Sequence, residues 1–366
     1  MISWWNIYII VLLTAAGCSL LYTPLCRILA LKLGFYDKPA GQLHKGHKTA
    51  TPLLGGLAIC LSMVTTVVLG LLISRSLHHD IISSEVVENL QGVTSVSSRM
   101  FFIGLGGIMA MLLGLYDDKF NMSARAKFGG QFAVAAVAVT WGNVQATAFI
   151  SNSILSWGLS VFWIVLIMNA INFFDNMDGL AVGVSAIAFS FFIIAAGMRG
   201  QYFVAVLGAV AAGAALGFWF FNHSPASIFM GDSGSHLLGY MLAVIGTLVT
   251  YYKEDGNGSM FSVLIPIFIL ALPLFDLFAV SIIRWKIGKP FYIGDHNHIS
   301  HRFQKMGMSR KMAVLMVHLL TLIIGMGVLP LLWGDAGTII VSLVQAGTIL
   351  FMVSLLQYSG RKTEEN

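Results

Sequence analysis

The sequence predicts an all-α, polytopic integral membrane protein with about eleven transmembrane helices. Three observations predict it: the composition, the length of the apolar runs and the placement of basic residues. Of 366 residues, 57% are hydrophobic and 10% charged, whereas a soluble domain carries about a quarter charged residues. That is too little charge to cover a water-facing surface. No polar linker separates a second unit, so residues 1–366 read as a single membrane-embedded domain. The net charge of +5 does not point to nucleic acid, because the basic residues lie in the breaks between apolar runs. Cys18, Cys26 and Cys60 sit in apolar stretches without metal-type spacing and read as buried thiols.

A helix needs about 20 apolar residues to cross a bilayer. Apolar runs between polar breaks place spans at 4–31, 53–74, 100–116, 128–141, 156–171, 179–197, 202–221, 234–251, 260–283, 312–332 and 338–357. The first run lacks a basic n-region and is too long for a signal-peptide core, so it reads as a retained helix with Trp4 and Trp5 at an interface. The fourth and fifth runs are short. Those at 179–197 and 202–221 are rich in Gly and Ala, which permits close helix packing. Eleven crossings divide the breaks into two sets. One set holds only Arg75, Arg99, Arg199 and Lys253, leaving 17 of the 21 lysines and arginines to the other. Basic loops stay inside, which predicts an external N-terminus and a cytoplasmic C-terminus.

Four polar clusters fall in the cytoplasmic set. Carboxylates at membrane depth are costly and mark function. Asp117 and Asp118 end the third run, followed by Asn121 and Lys127. Adjacent carboxylates repel unless a cation or hydrogen bonds compensate. They read either as a metal or general-base site or as a solvated helix end, with Lys127 a point charge for phosphate. In the second cluster Asn169, Asn172 and Asn176 share one helical face, with Asp175 beside it and Asp178-Gly179 turning into the next helix. Asparagines alone can serve as helix–helix glue. The added carboxylates suit a hard cation such as Mg²⁺. Asp232, in Phe-Met-Gly-Asp-Ser-Gly-Ser, stands before the eighth run as an N-cap or a metal ligand.

The fourth cluster runs from Asp295 to Arg302 and contains His296, His298 and His301. His298 and His301, at i and i+3, can share a helical face. Zinc is disfavoured without Cys or a His-Glu-x-x-His pattern. Histidines beside Arg302 in a basic loop suit phosphate or pyrophosphate, the alternative being a plain surface loop on the cytoplasmic face. Asp276, two turns inside the ninth run, either faces the site or pairs with a basic residue such as Arg284.

Together these residues resemble the polyprenyl-phosphate N-acetylhexosamine-1-phosphate transferase family (glycosyltransferase family 4), from Thr51-Pro52-Leu-Leu-Gly55-Gly56 to the histidine cluster. The resemblance implies Mg²⁺-dependent transfer of a sugar-1-phosphate from a UDP-sugar to polyprenyl phosphate, with release of UMP. Mn²⁺ is an expected substitute. It implies a cytoplasmic active site in an inner membrane, membrane lipids as surroundings, no nucleic-acid partner, and a homodimer as a permitted assembly. By position, Asp117, Asp118, Asp175 and Asp178 match the catalytic carboxylates, and Asn172 and Asp232 the metal ligands. Lys127, Asn121, Asn176, His298, His301 and Arg302 are the expected substrate-binding groups. Asn176 stands where Gly is usual, Ser300 where a histidine is usual and His296 where Arg is frequent. The missing triple histidine favours the N-acetylglucosamine branch over the phospho-N-acetylmuramoyl-pentapeptide transferase branch. The rival from another class is an ion- or proton-coupled transporter, whose carboxylates belong nearer mid-membrane.

Overall fold

The computed structural model describes residues 2–37, 50–74, 83–90, 93–146, 150–249, 260–290 and 297–362. Helix α1 (Trp4–Leu33) leads to a short antiparallel pair, β1 (Tyr36–Asp37) and β2 (Thr51–Pro52), registered Tyr36 to Pro52. Then follow α2 (Gly55–Ser74), α3 (Ser84–Leu90), α4 (Val93–Phe120), α5 (Ala124–Thr140), α6 (Ser153–Phe174), α7 (Leu180–Met198), α8 (Tyr202–Asn222) and α9 (Gly231–Leu248). A 3-10 turn at Met260–Leu264 precedes α10 (Ile265–Ile269) and α11 (Ala271–Lys286). The chain continues as α12 (Ile299–Lys305), α13 (Arg310–Val328) and α14 (Ala336–Lys362).

All eleven predicted spans coincide with helical segments. Among the described residues eight helices are long and apolar enough to cross a membrane, namely α1, α2, α4, α6, α7, α8, α13 and α14. A ninth arises if 262–269 and α11, bent by 65° at their break, form one span. This differs from the expected eleven. Helix α5 has 17 residues, and α9 opens with the polar run Gly-Asp-Ser-Gly-Ser-His. The short helices α3 and α12 were not foreseen, and α4 extends further at both ends than its apolar run. Asp117 and Asp118 therefore lie in the last turn of α4 rather than beyond it.

Helices α7 and α8 form the interior, with 78% and 67% of their spans buried, against 28% for α1 and 22% for α14. Their small residues explain this placement. A Cβ at Gly213 would lie 2.1 Å from the Leu12 carbonyl oxygen, and one at Gly217 would lie 2.5 Å from that of Ala16. This four-residue repeat of glycines lets α8 press against the backbone of α1, where dispersion rather than hydrophobic driving force holds helices together in lipid.

Backbone bonds bring the β2–α2 junction to the start of α9. The Phe229 N–H donates to the Pro52 carbonyl, Gly55 N–H to Phe229 and Gly56 N–H to Met230. On the opposite side α4 packs so closely that a Cβ at Gly114 would lie 2.2 Å from the Asp232 carbonyl oxygen. The turn carrying Asp232 is thus held between two backbones. Gly213→Leu would force α1 and α8 apart and is expected to cost ~1–3 kcal/mol. Thermal unfolding of the purified protein in detergent checks this, and an unchanged midpoint would contradict the packing.

Candidate active site

Three of the four polar clusters meet around one ammonium group. Helix α5 begins at Ser123, whose hydroxyl accepts the Ala126 N–H, and this places Lys127 on its first turn. The Lys127 Nζ lies 2.6 Å from Asp232 Oδ2, 2.8 Å from Asp117 Oδ2 and 3.2 Å from Asn172 Oδ1. Asn172 in turn donates from Nδ2 to Asp232 Oδ1 at 2.7 Å and to Ser235 Oγ at 2.8 Å. Helices α4, α5, α6 and α9 each supply a member. An ammonium among carboxylates offsets the repulsion that would otherwise keep them apart.

The carboxylates differ in what they hold. Asp118 accepts the Asp232 N–H at Oδ1 (2.8 Å) and the Ser233 N–H at Oδ2 (3.1 Å). It therefore caps the N-terminus of α9 from another helix, where exposed N–H groups and the helix dipole favour an anion. Gly231, at φ +67°, allows this approach, since its Cβ would lie 2.5 Å from Asp118 Oδ2. The sequence left Asp232 as N-cap or ligand. With Asp118 as the cap, the Asp232 carboxylate is released to face Lys127 and Asn172. Asp117 accepts the Met122 N–H at 2.7 Å through Oδ1 and faces Lys127 through Oδ2. Asp178 accepts the Ala226 N–H at 3.1 Å and fastens the α6–α7 turn to the segment before α9. No protein group among the described residues donates a hydrogen bond to Asp175, which caps the C-terminus of α6. Burial holds its carboxyl well above the usual carboxylate range, as do the negative charges of Asp232, Asp118 and Asp178.

The fourth cluster joins through two side chains. Asp276, buried on α11, accepts the His298 Nδ1–H at 2.7 Å and the Ile299 N–H at 2.7 Å. The question of its role is answered by this clamp, while the Arg284 guanidinium lies over the Phe173 ring at 5.3 Å. With Nδ1 engaged, Nε2 is the nitrogen of His298 left to meet a ligand. Ser300 donates to Asn176 Oδ1, and Asn176 Nδ2 donates to the Phe173 carbonyl. Two of the three positions that depart from the family pattern, Asn176 and Ser300, therefore touch each other. Asn176 is engaged by protein at both ends of its amide. His301 lies on α12, its ring 6.4 Å from that of His298 and its Nδ1 3.4 Å from Gln304 Oε1, and Arg302 follows on the same helix. Asn121 takes φ +50° where α4 ends, and its N–H bonds to the Asp117 carbonyl. It is the residue that stops the helix. Asp295 and His296 lie outside the described residues.

The donors at the centre are oxygens of Asp232, Asp117 and Asn172, the ligand type of Mg²⁺ or Mn²⁺. Among the described residues no three His, Cys, Asp or Glu side chains form a ready-made metal group. Mg²⁺ is commonly held by one or two protein oxygens, with water and substrate phosphates completing its shell. Unforeseen members were Ser235 and, one turn deeper, Gln131 and His236. Ser235 lies three residues past Asp232, and Gln131 and His236 lie four past Lys127 and Asp232, single polar residues whose spacing marks a shared helical face but names no partner.

The raised carboxyl of Asp175 has a consequence for stability. The folded state binds this proton more tightly than the unfolded chain does. Its contribution is complete below the ordinary carboxylate range and is lost as pH rises through the raised value. Asp175→Asn should flatten the fall in thermal midpoint between acidic and mildly alkaline buffer. A variant whose midpoint falls as steeply as the parent's would refute it.

The sequence profile of glycosyl transferase family 4 matches residues 100–250, the stretch that carries all three central clusters. A Bacillus subtilis protein, named as a probable undecaprenyl-phosphate N-acetylglucosaminyl 1-phosphate transferase, is 33% identical over 98% of this chain and 92% of its own length. A decaprenyl-phosphate N-acetylglucosaminephosphotransferase of Mycobacterium tuberculosis is 32% identical over 86% of this chain and 80% of its own. A phospho-N-acetylmuramoyl-pentapeptide-transferase of Geobacillus kaustophilus is 30% identical over 63% of this chain and 70% of its own.

Proposed function

The chain belongs to glycosyl transferase family 4 and is a multi-pass membrane sugar-phosphate transferase; from that premise we propose that it moves N-acetylglucosamine-1-phosphate from UDP-N-acetylglucosamine to a polyprenyl phosphate. The products are polyprenyl-diphosphate-N-acetylglucosamine and UMP, and the step opens synthesis of an envelope glycan. Family membership sets aside an ion-coupled transporter. Both N-acetylglucosamine relatives cover more of this chain than the pentapeptide transferase does, which supports the choice of sugar.

The observation that carries the reading is the Lys127 ammonium among Asp117, Asn172 and Asp232, with the buried Asp175 carboxyl, which accepts no hydrogen bond from the described residues, in the same charged group. In the reaction an oxygen of the lipid phosphate bonds to the sugar-bearing phosphorus. The bond from that phosphorus to the bridging oxygen breaks, and UMP leaves. Both reactants are anions, so alignment and charge neutralisation dominate the barrier. Asp232 and Asn172 would hold Mg²⁺, which when bound offsets the charge of the donor pyrophosphate. Lys127 meets the transferred phosphoryl group as a point charge. Asp175 takes the proton of the lipid phosphate when the acceptor arrives protonated, a task helped by the proton affinity that burial and the neighbouring carboxylates raise. Asp117 steadies Lys127, while Asp118 and Asp178 shape the backbone around the site. His298, through Nε2, with His301 and Arg302, forms a basic wall for the nucleotide-sugar.

We further propose that the whole chain, 1–366, works as one domain with eleven crossings. Its N-terminus is external, its C-terminus is cytoplasmic, and the site lies on the cytoplasmic face of the inner membrane. Purified protein in detergent, given polyprenyl phosphate, Mg²⁺ and a panel of UDP-sugars, should release UMP with UDP-N-acetylglucosamine. Asp232→Ala should lower that release by roughly a hundredfold or more. No release with any donor would count against the reaction, and unchanged turnover in Asp232→Ala would count against the metal assignment.

A further inference from the structure

One turn beneath Lys127, Asn172 and Asp232 lies a second set of three polar side chains on the same three helices. Gln131 is four residues past Lys127 on α5, Asn169 three before Asn172 on α6, and His236 four past Asp232 on α9. Helical periodicity stacks each below its partner. Gln131 and His236 are fully buried. Asn169 Nδ2 donates to Gln131 Oε1 at 2.7 Å and to the Val165 carbonyl at 2.8 Å. Gln131 Nε2 lies 3.3 Å from Asn169 Oδ1 and 2.9 Å from His236 Nε2. His236 Nδ1 lies 2.7 Å from the Asp232 carbonyl oxygen.

These contacts admit one arrangement of protons. The Val165 carbonyl only accepts, so the Asn169 NH₂ must point at it. The same NH₂ then faces the Gln131 oxygen, which turns the Gln131 NH₂ towards His236. His236 Nε2 must accept, so its proton is on Nδ1, where the Asp232 carbonyl requires a donor. Every N–H of the layer has a partner, and a fully satisfied buried network is rigid. Its end point is the backbone of the residue whose carboxylate faces Lys127.

We infer that Gln131, Asn169 and His236 are positioning residues that set the register of α5, α6 and α9, and with it the spacing of Lys127, Asn172 and Asp232. The inference rests on the upper layer being the transferase site. Neither Gln131 nor His236 reaches substrate. They act through the groups above them, as outer-layer partners do at metal and phosphate sites, where their loss costs about 10–100-fold in affinity or activity.

The test compares the parent with His236→Phe, His236→Asn, Gln131→Leu and the Gln131→Leu/His236→Phe double variant, with Thr66→Val as a control. Thr66 is a buried polar group on α2 that, among the described residues, bonds only within its own helix. The readouts are kcat and KM for UDP-N-acetylglucosamine, Mn²⁺ binding from loss of the free-ion electron paramagnetic resonance signal, and thermal midpoint in detergent. His236→Phe and Gln131→Leu should each lower kcat and weaken Mn²⁺ binding by about tenfold or more, with thermal midpoints no further from the parent than the control's. The double variant should be little worse than either single one, because both break the same chain. His236→Asn, whose amide can still donate to the Asp232 carbonyl, should lie between His236→Phe and the parent, and it decides the matter if His236→Phe does not fold. Parent-like kcat and Mn²⁺ binding in the folded variants would overturn the inference, as would losses that track only the amount of folded protein. A parent that binds Mn²⁺ but transfers no sugar-phosphate defeats the proposed reaction alone, and the layer is then judged on Mn²⁺ binding. A parent that transfers without binding Mn²⁺ defeats the metal assignment alone, and kcat decides. A parent that does neither defeats both.

Discussion

The interaction on which the site depends is the meeting of the Lys127 ammonium with Asp117 and Asp232 over the amide of Asn172. Charges at this depth are costly unless paired and hydrogen-bonded. Each member comes from a different helix, so the pairing is possible only when α4, α5, α6 and α9 end at the same level. The cost of leaving any of these charges alone is what ties the helix ends together. The glycines at the contact, Gly114 on α4 and Gly56 on α2, serve this requirement by removing the side chains that would hold the backbones apart.

One residue type does several jobs around this centre. Asp118 binds backbone N–H groups and completes a helix terminus. Asp178 fastens a loop, and Asp276 orients a histidine. Among the described residues nothing donates to Asp175, and burial, followed by the charges of the neighbouring carboxylates, raises its proton affinity. The difference is geometric: Asp118 has both oxygens on backbone N–H groups, while Asp117 and Asp232 each turn one oxygen to the Lys127 ammonium. The histidine turn obeys the same logic. It reaches the acidic centre through Ser300 on Asn176 and is held from behind by Asp276.

Much of this was legible in the chain. Apolar run length located every helix that crosses the bilayer by length and composition, because a membrane imposes its thickness on each segment separately. The four clusters were visible as polar breaks, and the stripe of Asn169, Asn172 and Asn176 followed from helical spacing. Less legible was the reach of α4 through Asp117 and Asp118, since helix propagation continues past the last apolar residue until a residue such as Asn121 takes a left-handed conformation. Gln131 and His236 were passed over because a single polar residue in an apolar helix carries no sign of its partner.

The sequence by itself determined the class of protein, the long apolar helices and the residues bearing charge, since these depend on local periodicity and on the uniform demand of the bilayer. Only the tertiary structure decided what each carboxylate meets. Whether an aspartate meets an ammonium, a helix terminus, an imidazole or no donor depends on groups far away in the chain: Asp118 and Ser233 are 115 positions apart, and Lys127 and Asp232 are 105. Hydrogen bonds and ion pairs act over a few ångströms in space, and no spacing along the chain encodes which distant backbone will arrive there.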